Sequence, residues 1–310
     1  MTAFLRTVEE AEQAYPRSVI AVGNFDGVHR GHEVIIERVV ERAIKLGTYG
    51  MVVTFDPHPQ QYLGRKPPLS VLTPIERKLE LLSKYDLDAV LIISFTQRFA
   101  KITAEEFVKA TYVRKLEIQE IVVGYSHKFG EKGKGDQLLL KRLGNRYGFL
   151  THIVDPIERD GVLVNSSRIR NLLNSGEIIA ARNLLGHPYT ISGTVVPGDG
   201  QGSKMSYPTA NLELNDPNWL KPKRGVYAVR VNLGQKVLNG VMNIGIRPTF
   251  KKEIEQCEVH IMNFEGDIYG RIIHVEVVDR IRDEIKFSSV DKLKLQILKD
   301  VETSYNILKV

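Results

Sequence analysis

Residues 23–32 read Gly-Asn-Phe-Asp-Gly-Val-His-Arg-Gly-His, a stretch in which glycines, a carboxylate and two imidazoles lie within ten positions. The apolar run Val19–Val22 precedes it, and Ile35, Ile36, Val39, Val40, Ala43 and Ile44 follow at helical spacing, so a strand-to-helix turn is expected here. Such a turn offers an anion unpaired backbone N–H groups and the positive end of a helix dipole, and glycines let the backbone come close. Gly23, Asn24, Phe25 and Gly31 are therefore candidate phosphate contacts. His29 and His32 would stand at the same anion and donate hydrogen bonds as charge builds on a phosphoryl group in a transition state. A glycine-rich turn carrying two exposed histidines would use the same residues, but the ten together favour nucleotide chemistry.

Further candidates follow along the chain. Thr54-Phe55-Asp56-Pro57-His58-Pro59 closes a second apolar run, and Asp56 could hold a magnesium ion or a ribose, or serve as an ordinary turn residue. In Asn165–Arg170, Ser166 or Ser167 would cap a helix and Arg168 reach a triphosphate. Gly198, Gly200 and Gly202 form a possible flap whose N–H groups cradle phosphates. Thr209 and Asn211, in Pro-Thr-Ala-Asn, offer the hard oxygens that suit Mg2+ shared with phosphate. Residues 240–250, which include Asn243 and Arg247, form a distinctive turn-bearing segment. Glu258 reads either as a solvent-facing strand residue or as a general base for a hydroxyl nucleophile.

The elements that must position these residues change rhythm part-way. Up to about residue 186, apolar runs at Val19–Val22, Met51–Phe55, Ala89–Ile93, Ile118–Val123 and Thr151–Val154 alternate with helical patterns, which predicts a parallel sheet covered on both faces. Thr73-Pro74-Ile75-Glu76 and Thr103–Glu106 read as helix starts, and Gly176 and Gly186 as C-caps. Beyond His187-Pro188 come short strand candidates at Ile191–Val196, Gly225–Asn232, Val237–Asn243, Glu258–Phe264 and Ile272–Val278, as in a compact antiparallel barrel. A final amphipathic helix, about Val290 to Leu308, is expected to pack across it through Leu293, Ile297, Leu298 and Val301. The 310 residues allow two domains, and a charge of +6 suits polyanionic ligands without choosing nucleotide over nucleic acid. The basic stretch 127–134 is short and glycine-broken, which favours a solvated or phosphate-facing loop over a nucleic-acid patch. No signal peptide or membrane span is read, and a single cysteine excludes an internal disulfide, so a cytoplasmic location is expected.

The pattern His-x-Gly-His on such a turn resembles the signature of the nucleotidylyltransferases. With Thr54–Pro59, Ser166–Arg170, Pro208–Asn211, Arg224–Tyr227, Asn243–Phe250 and Glu258 in order, nearly the whole chain resembles the prokaryotic bifunctional riboflavin kinase/FMN adenylyltransferase family, the FAD synthetases. The resemblance implies an α/β, Rossmann-like parallel nucleotidylyltransferase domain (residues 1–186). A six-stranded antiparallel Greek-key β-barrel with a C-terminal helix (187–310) would follow it. The first domain would transfer AMP from ATP to FMN, giving FAD and pyrophosphate; the barrel would phosphorylate riboflavin from Mg2+-ATP. By residue, it implies His29 and His32 on the transferring phosphoryl with Asn24 nearby, and Ser167 and Arg168 on the triphosphate. It implies Asp56, His58, Asn243 and Arg247 at flavin, Thr209 and Asn211 around Mg-ATP, and Glu258 as base. Two departures stand out: Ser126-His127 replaces an Asp-Phe pair, and Ser203 with Met205-Ser206-Tyr207 replaces an arginine and Leu-Gly-Phe. The expectation is both activities, with small-molecule partners and no membrane or nucleic acid. The alternatives are one surviving activity, the adenylyltransferase first, a cytidylyltransferase, or a flavin- or RNA-binding regulator on a degenerate scaffold.

Overall fold

The structure, a computed structural model, describes residues 1–64, 68–198, 207–248 and 253–309. The chain forms two compact units, Met1–Ser166 and Ser167–Val310.

In the first unit β1 (Ala3–Leu5), β2 (Val19–Val22), β3 (Gly50–Asp56), β4 (Ala89–Ser94), β5 (Glu120–Gly124) and β6 (Leu150–Val154) form one sheet in the order β1-β4-β3-β2-β5-β6. Every pairing in it is parallel. Helices cover both faces, which is why the central strands read as unbroken apolar runs. Ile20, Val22, Met51, Val53 and Leu91 join one apolar cluster, and Val19, Ala21, Val52, Val90 and Ile92 the other, as a period of two requires. The chain winds from β2 through β3 to β4 on one side and later adds β5 and β6 on the other. Loops leaving the carboxyl ends of β2 and β5 therefore meet where the winding reverses, the place where open α/β sheets bind ligands. The three-residue β1, too short to show a period, was not among the expected strands.

One helix start stands and one is corrected. Thr103 and Glu106 form the expected capping box. The helix Ile75–Leu82 instead has Pro74 at its N-cap with no side-chain cap, because the Thr73 hydroxyl is engaged by the Gly27 N–H and the Asp26 carboxylate. Gly186 ends the helix Ile178–Leu185 in the left-handed conformation, and Gly176, with φ 86°, follows the helix Ser166–Ser175.

The second unit holds a closed barrel of β7 (Tyr189–Val196), β8 (Ala210–Leu214), β9 (Gly225–Leu233), β10 (Lys236–Pro248), β11 (Glu253–Ile261) and β12 (Ile272–Arg282). Its cyclic order is β7-β8-β11-β10-β9-β12, all antiparallel. Two expectations change. The sixth strand, β8, starts inside Pro-Thr-Ala-Asn, which carried no strand signal. β11 ends at Ile261, not Phe264, as the chain turns through Asn263 at φ 54°. The terminal helix Val290–Leu308 packs on the barrel with Asp300, Ser304 and Leu308 buried, and Leu298 is 51% exposed, contrary to expectation. Asp300 takes the inward position because Arg282 meets both its oxygens, at 2.9 and 2.6 Å, while Ser304 donates to the Gly240 carbonyl.

At the amino end of β5, Arg42 grips the buried Glu120 carboxylate at 2.6 and 2.5 Å, and His152 lies 2.8 Å from it. The Arg42 hydrogen bonds, helped by His152, hold the Glu120 carboxyl below its usual 4.5. A lowered folded-state pKa gives stability that is present above the unfolded value and lost as pH falls through the folded one. Glu120→Gln is expected to cost about 3 kcal/mol near neutral pH by leaving Arg42 unpaired. In urea titrations its gap from wild type should narrow as pH drops below about 4; a pH-independent gap would show that the charge contributes nothing.

Candidate active sites

The first site grows from the turn after β2. Three of its residues have positive φ, Phe25 (47°), Gly27 (89°) and Val28 (38°), and the helix Arg30–Leu46 follows at once. His29 is its N-cap: Nδ1 accepts the His32 N–H at 3.3 Å, which puts the proton of a neutral His29 on Nε2. His29 and His32 stack, ring centroids 3.6 Å apart and 14° from parallel, with Phe25 tilted against His32 at 5.1 Å. Among the described residues, buried His32 Nδ1 has no hydrogen-bond partner. Burial, with repulsion from His29 and Lys78, holds His32 well below its ordinary value of 6.5, so the ring is neutral at pH 7. Gly31 leaves little room for a side chain: a Cβ there would lie 3.2 Å from the His29 ring, which would have to shift. Phe25 is 2% exposed and its ring belongs to the core, so only its backbone remains for the phosphate role expected of it.

Beneath the turn lie residues that sequence reasoning passed over. The Asp26 carboxylate accepts from Leu72 N, Thr73 N and the Thr73 hydroxyl, at 2.9, 3.0 and 3.3 Å. Gly27 N donates to Thr73 Oγ1, and Ser166 Oγ to the Asp26 carbonyl. Lys78 is 4% exposed; its ammonium donates to Thr54 Oγ1 at 3.4 Å, and Thr54 donates to the Asn24 carbonyl at 3.2 Å. Burial lowers the Lys78 pKa, opposed by Asp26 and Asp56. One signal was visible: Lys78 sits on the buried face of its helix with Leu81 and Leu82.

The other first-unit candidates are placed as follows. Asp56 ends β3, and buried His58 caps a short helix by accepting the Gln60 N–H at 3.2 Å. Ser166 and Ser167 both lie in the first turn of their helix, with Arg168 next, and the Ser166 hydroxyl bonds Asp26 instead of capping as expected. In the loop after β5, His127 stacks on Phe129 at 5.4 Å, and desolvation pushes it down to about 4.

In the barrel, strand register aligns Asn211 of β8 with Glu258 of β11, and Glu258 with Asn243 of β10. The neighbours Leu212, Cys257, Val259, Met242 and Ile244 are buried, so the three polar side chains form one row on the opposite, outer face. Gly198 approaches this row so closely that a Cβ would overlap the Asn211 amide. Thr209, half-buried, directly precedes β8. His260 donates from Nδ1 to the Pro208 carbonyl at 2.9 Å and meets Tyr207 edge-on. Gly200, Gly202, Ser203, Met205, Ser206 and the Arg247 side chain lie outside the described residues.

Comparison with known proteins agrees with both halves. Residues 11–168 match the FAD synthetase family and residues 185–308 the riboflavin kinase family. The bifunctional riboflavin kinase/FMN adenylyltransferase of Escherichia coli K12 is 39% identical over 92% of this chain and 91% of its own. The chain belongs to the bifunctional riboflavin kinase/FMN adenylyltransferase family. The Bacillus subtilis enzyme of that name is 37% identical over 93% and 91%, and that of Haemophilus influenzae 35% over 97% of each chain. A solved structure from Streptococcus pneumoniae superposes with a TM-score of 0.87 at 32% identity, covering 98% of this chain and 99% of its own. That protein is titled a macrolide-efflux protein; in the present family member, no helix among the described residues is long and apolar enough to cross a membrane. As a family member the chain is a transferase of FAD biosynthesis, with riboflavin kinase and FMN adenylyltransferase activities.

Two outcomes are expected at the phosphate turn. Gly31→Ala should displace the His29 ring by a few tenths of an ångström and slow FAD formation from FMN by about ten- to a hundredfold, leaving riboflavin phosphorylation unchanged. By NMR, the His32 ring should show no protonation step between about pH 8 and 6, because its folded pKa lies well under the usual range. A midpoint near 6.5 would refute the desolvated, neutral imidazole.

Proposed function

We propose that AMP transfer occurs at the stacked His29–His32 pair and riboflavin phosphorylation along the Asn211–Glu258–Asn243 row, residues 1–186 carrying the first activity and 187–310 the second. The observation that carries the first assignment is the buried ring nitrogen of His32, which has no partner among the described residues. Such an orphan is satisfied by a ligand atom. An FMN phosphate oxygen attacks the α-phosphorus of ATP and pyrophosphate leaves. No side chain need form a bond to phosphorus, since the nucleophile is already anionic. His29 Nε2–H and His32 stabilise the charge that grows on the transferring group, and the turn orients it. Ser167 and Arg168 hold the triphosphate, Asn24, Gly23 and Gly31 the neighbouring phosphoryl oxygens, and Asp56 and His58 the flavin.

In the barrel the riboflavin 5′-hydroxyl must lose a proton, which Glu258 takes while the oxygen attacks the γ-phosphorus and ADP leaves. Thr209 and Asn211 provide the hard oxygen donors that suit Mg2+, and the missing Cβ at Gly198 keeps the space beside Asn211 open. Bound there with ATP, the ion would neutralise phosphate charge. Asn243 and Arg247 lie along the same strand to meet the flavin. The chain's single cysteine, Cys257, fits a reducing compartment, so the reading places the enzyme in the cytoplasm.

Chromatography of flavins after incubation with Mg-ATP tests both halves separately. His29→Ala or His32→Ala should slow FAD formation from FMN by about 10²–10³, as for loss of a preorganised donor. Glu258→Gln should abolish FMN formation from riboflavin while leaving FMN-to-FAD conversion intact. Unchanged rates in either case would remove that residue from its role.

A further inference from the structure

Among the described residues Lys78 is the one buried ammonium at the phosphate turn, and neither the chemistry of AMP transfer nor the family resemblance accounts for it. Its burial has a cost, since taking an ammonium out of water is disfavoured unless partners offset the lost hydration. Three observations converge on it. It is 4% exposed, on the inward face of Ile75–Leu82 with Leu81 and Leu82, where an apolar residue would pack at no such cost. Its hydrogen bond runs to Thr54 at the carboxyl end of β3, and Thr54 in turn holds the Asn24 carbonyl in the turn after β2. Asp26, which fixes that turn, and Asp56, which ends β3, supply the opposing charges.

Resting on the adenylyltransferase reading of this site, we propose that Lys78 is a positioning residue for AMP transfer. Through Thr54 it locks the Asn24 peptide, and it supplies positive charge from below the turn. Nearly inaccessible, Lys78 acts through the turn without touching substrate. Locking the Asn24 carbonyl onto Thr54 keeps that oxygen from turning toward phosphate, where its lone pairs would repel the ligand. Such a role belongs to the transition state more than to the ground state, because developing charge on the transferring phosphoryl group is what a fixed charge and fixed dipoles stabilise.

Steady-state kinetics of FAD formation from FMN and Mg-ATP test this in the full chain, with riboflavin phosphorylation measured on the same preparations. Lys78→Met should lower kcat for FAD formation at least about tenfold, with KM for ATP and FMN within about threefold and riboflavin phosphorylation unaffected. Lys78→Arg, which keeps the charge, should recover much of the lost kcat. Thr54→Val, nearly isosteric, should lower kcat in the same direction by a smaller factor. If Lys78→Met keeps wild-type kcat, or Lys78→Arg is as damaged as Lys78→Met, the residue serves packing alone and the proposal fails. Should Lys78→Met fail to fold, an unchanged kcat in Thr54→Val overturns the relay. A wild-type chain that makes no FAD from FMN would instead reject the adenylyltransferase reading, a failure told apart because no variant is involved.

Discussion

The Asp26 carboxylate is the constraint on which the first site depends. The turn between β2 and its helix holds Phe25 and Val28 at positive φ, a region that costs a non-glycine residue about 1–2 kcal/mol. Left to itself that backbone would relax. It does not, because the buried carboxylate accepts two backbone N–H groups and a hydroxyl from Leu72 and Thr73, while Gly27 N returns a bond to that same hydroxyl. Hydrogen bonds to a charged acceptor are worth roughly twice neutral ones, enough to hold both strained residues. The cradle is thus enforced from beneath by a segment some forty-six residues downstream. Thr73 is spent in the process, which is why the helix after Pro74 starts without a side-chain cap.

With the turn fixed, the electrostatics of the site follow. His29 is oriented by its own N-cap hydrogen bond, and His32 is fixed by stacking on it and by Phe25 below. Burial keeps His32 neutral, so its contribution is a directed dipole without a mobile charge. Positive potential comes from the helix N-terminus and from the buried Lys78, whose pKa burial lowers against the opposing pull of Asp26 and Asp56. A site so built loses little to reorganisation when charge appears on a phosphoryl group, because its dipoles already point there.

What the amino-acid sequence made legible was whatever depends on local period and local composition. The alternation of apolar runs with helical patterns gave the parallel sheet, the shorter spacing gave the barrel, and glycines next to two histidines gave the phosphate turn. What stayed hidden depends on distance in the chain or on register. Nothing local pairs Asp26 with Thr73; the Thr-Pro-Ile-Glu stretch satisfies a capping rule until the fold claims its hydroxyl elsewhere. Lys78 went unread despite its place on the apolar face of its helix, since a lysine there can lay its long aliphatic stem on that face and keep its head in water. Leu298 is exposed where packing was expected, and Asp300, for which no place was read, is buried because Arg282, on a distant strand, makes burial of a carboxylate favourable. β8 was missed for a similar reason: its five residues carry one buried leucine and are recognisable as a strand only beside β7 and β11.

The barrel site is positioned by a different device, and the contrast explains why its residues, found separately in the sequence, work as a unit. No strained turn is involved. Asn211, Glu258 and Asn243 are neighbours because three strands share one register, and that register is set by the residues between them. Leu212 pairs with Cys257, Cys257 with Ile244, and Val259 with Met242, all on the buried side. A slip of one residue would bury Glu258 and expose Val259 or Cys257, losing apolar burial and stranding a carboxylate in the core. The ladder therefore cannot slip without unfolding, and closure of the barrel leaves no free edge along which a strand could re-pair. Here the apolar core itself places the general base: its packing decides which face Glu258 takes, and the hydrogen-bond ladder decides which two amides stand beside it.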